Sequence, residues 1–587
     1  MSDAREEKAA RIRSLLATDG DPVFENTTTF NEGRYESVDR LDDYEGLKER
    51  ARSIKEDAID DLPALIEQVR DAVEANGGTV YLADDAADAR RYIDAVVEDR
   101  DADTLVKSKS MTTEEIEINE HLADSGVDVW ETDLGEFVLQ VADEAPSHIV
   151  APAIHRSRES IADLFDEYFD PETDLETAAD LTAFAREYLA DRIREADVGM
   201  TGANFITADS GTIALVTSEG NARKTVASTD THIAVAGVEK IVPSLTDLQP
   251  FTELIGRSGT GQDITAYVSL LTPPTDSPVP DFESETPLSE MDDDREFHLV
   301  LLDNGRTDLR GDEQLEETLY CIRCSACLNS CANFQHVGGH AFGGETYSGG
   351  IGTGWEYGVH GTDSAAEFND LCTGCSRCVN QCPVEIDIPW INTVVRDRVN
   401  HGADADGFDF LVDGLTPDDE PEGLDLQKRF FGTFELAAKL GSATAPVSNW
   451  LADSPPSRWL LERFVGIDRR RDLPTFERET FQTWFADRGP QVSNDAATRE
   501  AVVYPDVYTN YVTPSRGRAT VRALEALDVH VRVADAGESG RAPLSQGMVE
   551  TATAKAEATY EALAPHLDAS TVVQNDTDLI GLVRAAD

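Results

Sequence analysis

Lysine is scarce in this chain: ten in 587 residues, against forty arginines and 113 acidic residues. The resulting formal net charge of −63 weighs against a nucleic acid ligand, because a phosphate backbone demands basic surface. The acidic residues are dispersed through every segment rather than gathered in blocks. Such a surface suits a cytosol of molar salt, where the Debye length shrinks to about 3 Å and self-repulsion is screened. An acidic face built to meet a basic partner is the other reading. Long apolar runs are absent too: no stretch approaches the roughly 18 residues of a bilayer-spanning helix. The opening "MSDAREEKAARIRSLLATDG" has no hydrophobic core of an export signal. A cytoplasmic protein without a transmembrane segment is expected, with thiols kept reduced and available to metal. With no G-x-G-x-x-G turn and no P-loop in the sequence, NAD and ATP gain no support.

Cysteine is confined to two places. "CIRCSACLNSC" holds Cys321, Cys324, Cys327 and Cys331, and "CTGCSRCVNQCP" holds Cys372, Cys375, Cys378 and Cys382. Both have the C-x2-C-x2-C-x3-C spacing of ferredoxin-type iron–sulfur ligands, in which the fourth cysteine of one tetrad ligates the other cluster. Two [4Fe-4S] clusters are therefore expected, one on Cys321, Cys324, Cys327 and Cys382, the other on Cys372, Cys375, Cys378 and Cys331. Two self-contained tetrads are the alternative pairing. Two zinc sites are the alternative metal, although structural zinc favours well-separated C-x2–4-C pairs. Pro383 follows the second tetrad, whereas Ala332 follows the first, which costs rigidity rather than a ligand. Between the tetrads, ten glycines from Gly338 to Gly361 are interleaved with His336, His340, Phe342, Tyr347, Trp355 and Tyr357. Flexible linkers do not carry that many aromatics, so an ordered wrap around the clusters, or a docking surface, is expected.

Around this module the chain reads as a series of domains. Residues 1–75 are helical, with Leu62, Ile66, Val69 and Val73 on one face and "NGG" at 76–78 as the stop. Residues 76–309 alternate short apolar strands with helices, which predicts an α/β domain on a largely parallel sheet. Its strands are expected at "TVYLA" (79), "TLVKSKS" (104), "VDVWE" (127), "HIVAPA" (148), "TIALVTSEG" (212), "HIAVAG" (232), "EKIVPS" (239) and "FHLVLLDNGR" (297). The Pro- and acid-rich stretch 273–294 is expected to be an exposed loop. The cysteine module spans 310–405, an acidic linker 406–425, an amphipathic helical region 426–490 and a small α/β unit 495–587.

At these residues a family becomes visible. "CIRCSACLNSC…GGHAFGGETYSGGIG", with "VKSKSMTTEEIEIN", "ETDLGEFVLQ", "PSHIVAPAIH", "GMTGANFITADSGTIALVTSEGNAR" and "HIAVAGVEKIVPSLTDL" upstream, resembles the iron–sulfur subunit of the lactate-utilisation system, lactate utilisation protein B. The resemblance covers roughly residues 40–490. It implies a LUD domain of NagB/CoA-transferase-like fold followed by a mostly helical two-cluster ferredoxin domain. It also implies a role in oxidising L-lactate to pyruvate with partner subunits, a cysteine-rich-domain protein and a second LUD protein. The final unit resembles half of the partner's cysteine-rich domain, but Glu538, Ser539 and Gly540 stand where that domain carries its cluster-binding segment, and no cysteine follows near 575–578. A degenerate docking or packing module is expected there.

Outside the cysteines, candidates for binding a small 2-hydroxy acid are Lys107, Lys109, His155, Asp209, Glu219 and Arg223. The two lysines of "KSKS" follow a predicted strand, the edge at which open α/β sheets bind ligands; a solvated turn is the plain alternative. His155 is a candidate proton acceptor, and Arg223 a candidate partner for a carboxylate. Asp209 replaces the glutamate usual in the resembled family. The expected role is electron transfer rather than catalysis. The same module could serve another 2-hydroxy acid or glycerol phosphate oxidoreductase, the α/β domain could be an enzyme under redox control, or the chain could be a redox sensor.

Overall fold

A computed structural model of the chain describes residues 2–573, apart from 172, 218–219, 263–266, 274–277, 279–285, 291–294, 404–415 and 567–571. Most of the proline-rich stretch 273–294, the first part of the acidic linker, Glu219 and the segment near 575–578 thus lie outside the described residues. The chain divides into two compact units: Asp3–Cys372 with Ser376–Asn392, and Thr373–Cys375 with Thr393–Asp587. Among the described residues no helix is long and apolar enough to cross a membrane.

The first unit begins with four helices, Ser2–Thr18, Gly20–Val38, Tyr44–Asp60 and Leu62–Ala75. The last carries Pro63 in its first turn and buries Leu62, Leu65, Val69 and Val73, while Ile66 packs half-buried at the margin. Gly77, at φ +86°, takes the left-handed turn that ends it.

Among the described residues ten strands follow: β1 (Thr79–Ala83), β2 (Thr104–Lys107), β3 (Asp128–Glu131), β4 (Val198–Thr201), β5 (Phe205–Thr207), β6 (Thr212–Thr217), β7 (Thr231–Gly237), β8 (Ile241–Val242), β9 (Tyr267–Leu271) and β10 (Glu296–Leu302). Six form a wholly parallel sheet in the order β1-β10-β7-β4-β2-β3. Every residue of β7, "THIAVAG", is buried, the pattern of a central parallel strand covered on both faces. The strand "FHLVLLDNGR" does close this domain, pairing between β1 and β7.

Three details correct the sequence reading. "HIVAPA" forms turns, not a strand, because His148 Nδ1 accepts the amides of Val150 and Ala151 at 3.1 and 3.0 Å and Pro152 has no amide to give a ladder. "EKIVPS" begins as the 3-10 turn Val238–Lys240 and yields only a two-residue strand. A second sheet, β8-β5-β6-β9, contains antiparallel pairs; its β5–β6 hairpin turns at Gly211, φ +64°.

The glycine-rich stretch between the tetrads is ordered. It forms the helix Gly349–Val359, with Trp355 and Tyr347 buried. Its glycines permit close packing: a Cβ at Gly354 would stand 2.5 Å from Thr318 Oγ1, and one at Gly352 2.8 Å from the Tyr347 carbonyl carbon.

The second unit opens with short helices, Leu426–Gly432, Phe434–Ala443, Val447–Ala452 and Pro455–Leu460, with a later one at Phe481–Arg488. A three-stranded parallel sheet follows, with Arg499–Val503 flanked by Val529–Val533 and Val572–Val573. Where the sequence reading placed a lost cysteine segment, Glu538 is buried and paired with Lys555 at 2.6 Å. Arg541, just beyond, donates to the carbonyls of Thr373 and Gly374, each at 3.2 Å.

Candidate metal centre

The two tetrads share one backbone. In the first, Arg323 and Ser325 take φ +57° and +68°; in the second, Gly374 and Ser376 take φ +62° and +64°. Each then forms a one-turn helix, Ala326–Ser330 or Arg377–Gln381, ending at the fourth cysteine with φ/ψ of −79°/118° or −71°/121°. The two short helices pack against one another. Three of these left-handed positions carry a side chain, a cost of about 1–2 kcal/mol each that the surrounding contacts offset.

Cys382 stands with the first tetrad. It lines one cavity with Cys321, Cys324 and Cys327, among Ile149, Ile322, Ile351, Val384, Ile386 and Ile388. Backbone amides point at the sulfurs: Arg323 N donates to Cys321 Sγ at 3.3 Å, Ala326 bonds Cys324, and Ile386 and Val384 bond Cys382. Burial pushes the Cys382 thiol up to about 11, against the pull of those two amides. Cys324 rises further, through burial and then Cys382. Cys327 is raised by burial and then by Cys321, Cys324, Cys378 and Cys382. Such thiols ionise together only when a metal supplies the opposing charge. Four sulfurs, an apolar wall and inward amides fit an iron–sulfur cluster, whose sulfurs accept hydrogen bonds of this kind. Cys331, Cys372 and Cys378 are half-buried and Cys375 is exposed; none of the eight forms a disulfide.

Behind the first tetrad lies a buried charge network. Arg306, following β10, forks onto Glu115 with both distances 2.8 Å and donates from Nε to Glu239 at 2.5 Å. Arg323, between two of the cysteines, donates to the other Glu239 oxygen at 3.0 Å. Its guanidinium lies over Tyr347 and Trp355 at 4.8 and 4.7 Å, and Tyr347 OH donates to Glu115 at 2.5 Å. Burial opposes the Glu239 charge, but Arg306 and then Arg323 hold its carboxyl at about 2. The α/β domain and the cysteine loop are thereby bolted together by ions that cannot be separated cheaply.

The other sequence candidates disperse. Lys107 is fully buried and paired with Glu131 at 2.7 Å and Glu114 at 3.0 Å, a structural cation with no access to a ligand. His155 has both ring nitrogens engaged, by Ser147 Oγ at 2.8 Å and Glu144 at 2.9 Å. Asp209 sits in the β5–β6 turn, 3.4 Å from the Leu245 amide, and Arg223 is exposed on the helix Asn221–Ala227. Among the described candidates only Lys109 lines a cavity of the α/β domain, about 240 Å³, at the C-terminal ends of β2 and β4. Its lining adds Ser108, Asn221, Lys240 and Arg323, which the sequence reading did not single out as ligands. A lysine inside the apolar run "VEKIV", in a chain with ten lysines, was the available signal for Lys240.

Known proteins match this layout. The LUD domain family matches residues 66–302, and the 4Fe-4S dicluster domain family matches residues 317–386. "Lactate utilization protein B" of Bacillus velezensis is 36% identical over 468 residues, covering 78% of this chain and 91% of its own. The Bacillus subtilis protein of the same name is 36% identical over 461 residues, covering 78% and 90%. "Uncharacterized electron transport protein YkgF" of Escherichia coli is 34% identical over 453 residues, covering 77% and 90%.

Proposed function

The chain belongs to the lactate utilisation protein B family, and on that footing we propose that it is the iron–sulfur electron-transfer subunit of a multi-subunit system oxidising L-lactate to pyruvate. The observation that carries this reading is the place of Cys382 beside Cys321, Cys324 and Cys327 in one cavity. It supports the crossed arrangement of a two-cluster ferredoxin, in which Cys331 would complete the set of Cys372, Cys375 and Cys378. When bound, two [4Fe-4S] clusters supply one-electron carriers, a relay for the two electrons that lactate releases on becoming pyruvate.

The chain's own residues do the rest. Amides from Arg323, Ala326, Val384 and Ile386 stabilise thiolate charge, and isoleucines exclude water from the first site. The more exposed Cys375 marks the second site as the side that meets an electron-transfer partner. Those partners are a cysteine-rich-domain protein and a second LUD protein, which carry out the first two-electron step.

Anaerobic purification with iron and sulfide analysis and EPR tests this. Roughly eight irons and eight sulfides per chain are expected, with lactate reducing the clusters only when the partner subunits are present. Zinc without inorganic sulfide would refute the redox role, and reduction by lactate in the isolated chain would make this subunit the catalyst.

A further inference from the structure

The α/β cavity has features that the electron-transfer role does not use. It lies at the C-terminal edge of the parallel sheet, where such folds place ligands, and has a volume of about 240 Å³. In a chain of net charge −63, three basic side chains line it, Lys109, Lys240 and Arg323, against one carboxylate, Asp133. Burial and then Arg323 push the Lys240 amine down to about 7, so it donates hydrogen bonds with only part of a charge. The acids behind these basic groups neutralise them only in part. Glu239 is shared between Arg323 and Arg306, and stands 3.8 Å from the Lys240 amine. Glu136, 3.5 Å from Lys109, is pushed up to about 8 by burial, against the pull of Lys109, which leaves it mostly protonated at neutral pH.

Three buried polar atoms on this lining have no hydrogen-bond partner among the described residues: Ser108 Oγ, Arg323 Nε and Asn221 Oδ1. Ser108 is 3% exposed and the Arg323 side chain 8%. Orphaned groups at this depth are costly unless a ligand or water satisfies them. Arg323 Nε offers a donor suited to a carboxylate. Asn221 Oδ1 requires the opposite, a donor on the ligand, since its amide nitrogen already faces Thr132 Oγ1 at 3.5 Å. An anion with a hydroxyl group answers both; acetate and a 2-oxo acid, which carry no donor at neutral pH, leave the asparagine unpaired.

We propose that this cavity is a binding site for a small 2-hydroxy acid anion, its carboxylate held by Lys109, Lys240 and Arg323 and its hydroxyl by Asn221 and Ser108. The site deepens the electron-transfer reading and rests on it for its consequence. Arg323 reaches the cavity with its side chain, while its amide donates to Cys321 Sγ at 3.3 Å. An anion on that guanidinium therefore adds negative charge beside the first cluster and lowers its reduction potential.

The test is equilibrium dialysis of the full-length, anaerobically purified protein, its iron and sulfide counted, against radiolabelled L-lactate, pyruvate, acetate and phosphate. One saturable lactate site per chain is expected, at least about ten-fold tighter than acetate or pyruvate, a difference of about 1.4 kcal/mol. Asn221→Ala and Ser108→Ala, each confirmed folded by circular dichroism, should each erase that preference, and lactate should shift the first cluster to lower potential. Equal binding of all four anions, or lactate binding unchanged in both variants, would mean an adventitious anion only and overturn the proposal. No saturable binding by a chain with its full iron would mean a water-filled cavity, overturning the proposal while the electron-transfer reading stands. Asn221-dependent lactate binding by a chain without iron or sulfide would have the reverse meaning: the site stands and the electron-transfer reading falls.

Discussion

Glu239→Gln removes one negative charge at nearly constant volume, at a residue with no solvent exposure. The wild-type carboxylate accepts from Arg306 Nε at 2.5 Å and Arg323 Nη2 at 3.0 Å. A glutamine has one carbonyl oxygen to serve two guanidiniums, and its amide group turns a donor toward whichever it does not serve. Arg306 keeps its fork onto Glu115, so Arg323 bears the loss. Leaving a buried charge uncompensated costs roughly 3–5 kcal/mol, a large part of the roughly 5–15 kcal/mol that holds a folded protein together. The assay is urea unfolding of the anaerobic protein followed by tryptophan fluorescence, since Trp355 packs on both guanidiniums. The midpoint should fall by an amount equivalent to about 3–5 kcal/mol, and the EPR signal of the first cluster should change while the second keeps its own. A loss below about 1 kcal/mol, the scale of a surface ion pair, would refute the view that this network joins the α/β domain to the cysteine loop.

The two lysines of "KSKS" should separate: Lys107→Met strands Glu131 and Glu114 and should cost about 3–5 kcal/mol with lactate affinity kept, whereas Lys109→Met should lose affinity with little change in the urea midpoint. Equal behaviour in both measurements would contradict this. Burial holds the His232 ring at about 3, below its usual 6.5, so the folded chain keeps it neutral while the unfolded chain takes up a proton near pH 6.5. The stability tied to the neutral ring is intact above pH 6.5 and lost progressively toward pH 3, about 2 kcal/mol of it by pH 5. His232→Gln should flatten the fall in urea midpoint between pH 7 and pH 5 by that amount; an unchanged slope would contradict it. Gly305→Ala places a Cβ 2.1 Å from the Gly358 carbonyl at φ +87°. It should cost more than the roughly 1–2 kcal/mol of left-handed strain alone, and a thermal midpoint equal to wild type would refute that.

The dicluster domain was legible because each cysteine tetrad lies within one short loop, so its C-x2-C-x2-C-x3-C spacing can be read without any long-range contact. The parallel strands were legible because burial on both faces writes continuous apolar runs, as in "HIAVAG". "HIVAPA" has the same look but turns, since His148 caps two amides of its own segment. Spacing could not separate Lys107 from Lys109, because the distinction lies in Glu131, a residue on the neighbouring strand. The Glu115–Arg306–Glu239–Arg323 network was invisible for a related reason: Glu115 and Arg306 are 191 positions apart, and nothing local marks either as buried. The left-handed Arg323 and Ser325 were equally hidden, since neither residue type prefers that conformation.

The pairing of the tetrads is most directly tested with two double variants and an iron count. In Cys321→Ser with Cys382→Ser, both losses fall on one cluster, and about four of roughly eight irons should remain with a single EPR signal. In Cys372→Ser with Cys382→Ser, each cluster loses a ligand, and both signals should be altered or lost. The reverse outcome, with the first pair damaging both clusters and the second pair only one, would contradict the place of Cys382 at the first site.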